Sequence, residues 1–170
     1  TGVASIRNDG LIATALASSN SQGWFYNVKS PLFYPTEGKT VEIEFRDSFE
    51  FGAAGFVAAT GGDWGKYESA NALVLETANG ATATGSLHDG QQAIQSGIAI
   101  AAPPGYSRLK LTFGQSTMTV VLSTETAPGN FAERYNQVRP IPFQFYDGIQ
   151  VLLAPYSGEM VLRKITTTSI

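Results

Sequence analysis

Ser107-Arg108-Leu109-Lys110-Leu111-Thr112-Phe113-Gly114-Gln115-Ser116-Thr117-Met118-Thr119-Val120-Val121-Leu122-Ser123 is the stretch whose reading decides the fold. Leu109, Leu111 and Phe113 alternate with Arg108, Lys110 and Thr112, the period-two pattern of a strand with one buried and one wet face. Gly114-Gln115-Ser116 turns the chain. Beyond it Met118, Val120 and Leu122 share one face, while Thr117, Thr119 and Val121 share the other. The stretch predicts a β-hairpin, with β-branched residues favouring the pleat of its second arm.

Working outward, Thr40–Arg46 alternates Val41, Ile43 and Phe45 with Glu42, Glu44 and Arg46, again one face for a core and one for water. Asp47 to Glu50 reads as a connection. Gly52 to Thr60 is small and apolar throughout, which suits a strand covered on both sides. Ala72 to Thr77 reads as a strand, Asn79-Gly80 as a turn that tolerates positive φ, and Ala81 to Ser86 as the next strand. The last strands are read at Phe143 to Tyr146, Ile149 to Leu153 and Glu159 to Thr166. One short helix is read within Ala127–Val138, capped by Asn130 and stopped at Arg139-Pro140.

The composition agrees with many short strands. Of 170 residues, 43% are hydrophobic and only 15% charged, with Thr, Ser, Ala, Gly and Asn abundant. One core fits this length and two do not, so residues 1–170 are expected to form a single all-β domain. The net charge of −3 and the spread of the eleven basic residues along the sequence argue against a nucleic-acid partner. No stretch has the length of apolar sequence a membrane span needs, and Thr1 to Asp9 lacks the layout of a signal peptide, so an export signal would have been removed or lie outside this stretch. The absence of cysteine excludes disulfides and thiolate metal sites. It fits either a cytosolic protein or a bacterial or phage-type extracellular one.

One-sided alternation in strands 40–46 and 107–123 is what two packed antiparallel sheets require, so a β-sandwich of jelly-roll type is expected. There is no Cys…Trp…Cys pattern to support an immunoglobulin domain. The rhythm of Leu11-Ile12-Ala13, the strands at Thr40–Arg46 and Gly55–Thr60, the 107–123 hairpin and the strand near Val161–Thr166 resembles the concanavalin A-like and jelly-roll superfamily of carbohydrate-binding modules. The resemblance covers most of the chain as a rhythm, without a single family's motif. It implies a sugar-binding face or rim, and in some members a structural calcium ion.

Aromatic rings in polar loops are the candidate site. Gly61-Gly62-Asp63-Trp64-Gly65-Lys66-Tyr67-Glu68-Ser69-Ala70-Asn71 sets two rings among an acid, an amide and a hydroxyl. A sugar's apolar face stacks on such rings while its hydroxyls pair with the polar groups. The other reading of Trp64 is a lid folded onto the core. In Ser21-Gln22-Gly23-Trp24-Phe25-Tyr26-Asn27, Trp24 and Tyr26 would form a two-ring platform if Phe25 is buried, and the opposite register would bury both. Gln91 supplies a further amide. Tyr106, after Pro103-Pro104-Gly105, is a weaker ring, as are Tyr146 and Tyr156.

Catalytic signatures are lacking. Glu42 and Glu44 share a strand face at a separation acid–base pairs can use, but Arg46 on that face suggests ion pairing. The superfamily's hydrolases carry Glu-x-Asp-x-x-Glu, whereas this chain reads Glu42-Ile43-Glu44-Phe45-Arg46-Asp47. The single histidine, His88, reads as a solvated turn residue. Calcium would have to draw on Asp47, Asp63, Asp89 or Asp147 with backbone carbonyls, and no EF-hand loop is present. The expected function is a non-catalytic, secreted carbohydrate-binding module, part of a larger multidomain protein, that binds a polysaccharide or oligosaccharide. Stacking falls to Trp24, Tyr26, Trp64 and Tyr67, and hydrogen bonding to Asp63, Asn71 and Gln91. The alternatives are a structural or adhesive jelly roll of a virion or phage tail and, behind it, a glycoside hydrolase or polysaccharide lyase.

Overall fold

The computed structural model describes residues 2–15, 25–47, 52–61, 63–64, 71–77, 84–100, 105–156 and 158–168. They form two antiparallel sheets. The seven-stranded sheet contains β1 (Gly2–Arg7), β2 (Gly10–Ala15), β4 (Thr40–Asp47), β9 (Ser107–Phe113), β10 (Thr117–Ala127), β11 (Asn130–Pro140) and β13 (Gly158–Thr168), in the order β1-β2-β13-β4-β9-β10-β11. The six-stranded sheet contains β3 (Val28–Lys29), β5 (Gly52–Ala58), β6 (Ala72–Thr77), β7 (Thr84–Asp89), β8 (Gln92–Ala99) and β12 (Ile149–Pro155), in the order β3-β12-β5-β6-β7-β8. The 107–123 hairpin is β9 and β10, paired from Met118–Phe113 to Thr124–Ser107.

The core lies between the sheets and is built by the alternation. Ile43, Phe45, Leu109, Leu111, Val120 and Leu122 come from one side; Phe56, Leu73, Leu75, Leu87, Val151 and Leu153 come from the other. Full burial of each such side chain contributes about 1.5–3 kcal/mol. Arg139 of β11 crosses to Asp89 of β7 at 2.7 Å and ties the sheets together. Burial opposes the charge on Arg139, but hydrogen bonds and charges from Asp89 and Tyr135 hold its pKa above the usual value.

Two sequence expectations fail here. The helix read within Ala127–Val138 is a strand: Pro128-Gly129 makes a turn, with Gly129 at φ 81°, and β11 pairs back along β10 as far as Thr117–Pro140. Phe143 to Tyr146 is not a strand but part of a 3-10 turn over Phe143–Asp147, which sends only Phe145 into the core. The strand expected roughly at Ala81 to Ser86 is present as β7, which runs on to Asp89, and residues 78–83 lie outside the described set. β1 and β8 went unread altogether.

Candidate functional site

β5 is buried on both faces, as its small apolar residues predict. Its inward residues Ala54, Phe56 and Ala58 join the main core, while Ala53 and Val57 face the other way, into a second apolar cluster with Ala72, Val74, Leu152 and Ala154. This second cluster lies on the outer face of the six-stranded sheet. Trp64 covers it and is only 7% exposed, with Phe25 packed alongside. The lid reading of Trp64 describes this placement, although the lid closes a second core on the sheet's outside. A side chain at Gly55 would overlap the Leu73 carbonyl oxygen, so the glycine lets β5 and β6 approach closely.

Polar groups gather at Trp64. Asn27 Oδ1 accepts from the Trp64 backbone N–H at 2.9 Å, and Asn27 Nδ2 donates to the Trp64 carbonyl at 3.1 Å. The indole Nε1–H donates to Glu76 Oε2 at 3.1 Å. His88 meets the indole edge-to-face at 5.6 Å, and its Nε2 lies 4.0 Å from Glu76 Oε1. The Nδ1 of His88 is buried without a hydrogen-bond partner. Lys29 Nζ pairs with Asp63 Oδ1 at 2.8 Å. Cross-strand register explains the convergence, because Val74 pairs with His88 and Glu76 with Ser86, which places Glu76 and His88 on the same outer face.

The residues singled out in the sequence divide into four groups. Asp63, Trp64, Asn71 and Gln91 belong to this sheet: the Asn71 carbonyl accepts from Ala58, and the turn carrying Gln91 is held by the Gly90 N–H bond to Ala72. Tyr26 is tied to the same sheet by its backbone N–H on the Pro155 carbonyl, but its ring lies against Gly2 of β1, so close that no side chain would fit there. Tyr106, 8% exposed, stands on the opposite sheet beneath Arg163. Trp24 and Tyr67 lie outside the described residues. Reading His88 as a solvated turn residue is incorrect, since it sits in β7 with its side chain only 16% exposed. Sequence reading also missed Asn27, Lys29 and Glu76. The one signal for them was alternation: Glu76 is the polar residue on the outward side of an otherwise apolar strand.

The outer face of the seven-stranded sheet is built differently. Glu44, although on an outward position of β4, is only 4% exposed. It accepts from Arg108 Nε at 3.0 Å and pairs with Arg163 Nη2, rather than with Arg46 as expected. Arg46 instead reaches Asp9 at 3.6 Å. Arg108 lies 3.7 Å from the centre of the Phe131 ring and Arg163 lies 3.5 Å from that of Tyr106. For calcium, Asp63 and Asp89 are engaged by Lys29 and Arg139, and among the described residues no three acidic or histidine side chains gather as a ligand set. Among the described residues no helix is long and apolar enough to cross a membrane.

No family model matches the sequence, and no curated protein matches it. Among solved structures, peanut lectin with a nine-residue peptide is similar over 100% of this chain and 90% of its own, with a TM-score of 0.62 and 8% identity. A galectin of Caenorhabditis elegans is similar over 85% of this chain and 94% of its own, with a TM-score of 0.47 and 8% identity. An alginate lyase of Klebsiella pneumoniae is similar over 78% of this chain and 60% of its own, with a TM-score of 0.41 and 10% identity. Of these, the match to peanut lectin is the one near enough in geometry to bear on the fold. With its two antiparallel sheets and full-length match to that lectin, the chain has the concanavalin A-like jelly-roll sandwich fold.

Proposed function

We propose that the chain is a non-catalytic carbohydrate-binding domain, acting outside the cell within a larger protein, with its site at the Trp64 face of the six-stranded sheet. The observation that carries this reading is the set of polar groups gathered at Trp64: Asn27 on its backbone, Glu76 and His88 on its indole, with His88 Nδ1 unpartnered, and the neighbouring Asp63 paired with Lys29. A sugar needs fixed acceptors and donors for its hydroxyls beside an apolar surface, and the polar groups at Trp64 supply the first of these. Trp64 acts as the floor of the site, because its burial leaves little ring surface for stacking. Stacking is assigned to Trp24 and Tyr67, which are near Phe25 and Trp64 in the sequence and lie outside the described residues. The lectin fold supports the reading as an analogy of fold, and the set of polar groups supports it independently.

Native gels containing β-glucan, xylan, mannan or galactan test it. One neutral polymer is expected to retard the protein, with binding weakened at least tenfold in Glu76→Gln and in Asp63→Ala. Absence of retardation by every neutral polymer, or retardation unchanged in both variants, would refute the site. The second reading, an assembly domain, draws on β1, an edge strand that leaves Ile6 86% exposed and Val3 also uncovered. Sedimentation distinguishes the two: a stable oligomer at micromolar concentration favours assembly, and a monomer favours the binding module.

A further inference from the structure

The sequence scatters its basic residues, but the fold does not. Arg46 on β4, Arg108 on β9 and Arg163 on β13 meet on the outer face of the seven-stranded sheet, around Glu44 and Tyr106. Their carboxylate partners are Glu44 and, at 3.6 Å from Arg46, Asp9, so the cluster carries one positive charge more than its carboxylates balance. This local excess stands out in a protein of net charge −3.

The guanidiniums are held in fixed planes. Glu44 grips Arg108 and Arg163 from beneath, and Phe131 and Tyr106 stack against them. A guanidinium has five N–H donors, and Glu44 takes one from each of these two, while 39% of the Arg108 side chain and 41% of the Arg163 side chain remain exposed. Arg46 Nε is buried without a partner. Planar forks fixed in advance bind a carboxylate with little loss of side-chain freedom. Outward positions on β10, beside Arg108 and Lys110, carry Ser123 and Val121, with Thr119 beyond, a hydroxyl-bearing strip next to the cations.

We infer that this face is a second ligand site, one for a carboxylate-bearing sugar chain, whose uronate groups are received by Arg108 and Arg163. The inference rests on the carbohydrate reading for the class of polymer, but uses a different sheet and different residues. One surplus charge matches a singly charged carboxylate better than the dense phosphates of a nucleic acid.

The test uses the intact chain in native gels containing polygalacturonate, its methyl-esterified form, or polyglutamate. Two variants accompany it: Arg163→Ala, and the double variant Glu44→Gln/Arg108→Gln, which leaves the net charge unchanged. Retardation by polygalacturonate, its loss on esterification, and at least tenfold weaker binding in both variants, each still melting cooperatively, are the expected results. Absence of retardation, equal retardation by polyglutamate, or unchanged binding in the folded variants would overturn the inference. Loss of polygalacturonate binding in Glu76→Gln would also overturn it, by moving the site to the Trp64 face. Retardation by a neutral polymer alone removes this site and keeps the proposed one, whereas retardation by polygalacturonate alone through Arg108 and Arg163 does the reverse.

Discussion

Each sheet has a face turned away from the shared core, and the two are finished by opposite means. On the six-stranded sheet, Trp64 with Phe25 alongside covers small residues of β5, β6 and β12, so β5 is buried on both faces. On the seven-stranded sheet, among the described residues, the outer face is closed by arginines laid over Glu44, Tyr106 and Phe131. The difference shows that residues with similarly low exposure can be buried for different reasons. Trp64 is buried by hydrophobic packing, which salt does not screen, while Glu44 is buried by its own counterions, whose attraction to it is electrostatic.

The sharpest way to break the comparison is Trp64→Ala. If the second cluster is a true core, removing its cover costs about 3–5 kcal/mol, the range for a buried aromatic. A urea titration checks this, and a loss below 1 kcal/mol would mean the outer cluster contributes little. Gly55→Ala probes the same sheet from within, since the added methyl would overlap the Leu73 carbonyl; a loss of about 1–3 kcal/mol is expected, by strain and not by a cavity. The smallest effect belongs to the other sheet. Arg7→Ala removes an exposed pair with Glu159 at 2.7 Å and is expected to cost about 0.2–1 kcal/mol, shrinking as salt is raised. A Trp64→Ala loss that also shrinks with salt, or an Arg7→Ala loss that does not, would erase the distinction between the faces.

The sequence revealed those parts of the fold in which one strand face meets the core and the other meets water. β4, β9 and β10 carry that alternation and were read directly. Edge strands carry little of it. β11 has no fully buried residue, so its Phe131, Glu133, Arg134 and Tyr135 mimic a helical spacing, and β8 mixes exposed glutamines with two isoleucines around a bulge. The site was legible as a ring in a polar loop. Its partners were not: Asn27 is 37 residues from Trp64 in sequence, and only the pairing of β6 with β7 brings Glu76 and His88 together. Arg46, Arg108 and Arg163 were unreadable as a group for the same reason, because register and not composition gathers them.

The position of β13 has a consequence for how the chain is made. It lies between β2 and β4, so residues 10–15 and 40–47 cannot be joined into one sheet until residues 158–168 have been synthesised. The β9-β10-β11 meander closes between neighbours in sequence, whereas β2 and β4 each keep an unpaired edge until β13 is made. Such long-range closure places folding in the range of milliseconds to seconds typical of β-sandwiches. During that wait the edges are open to strands of other nascent chains, which makes the timing of synthesis itself a determinant of yield.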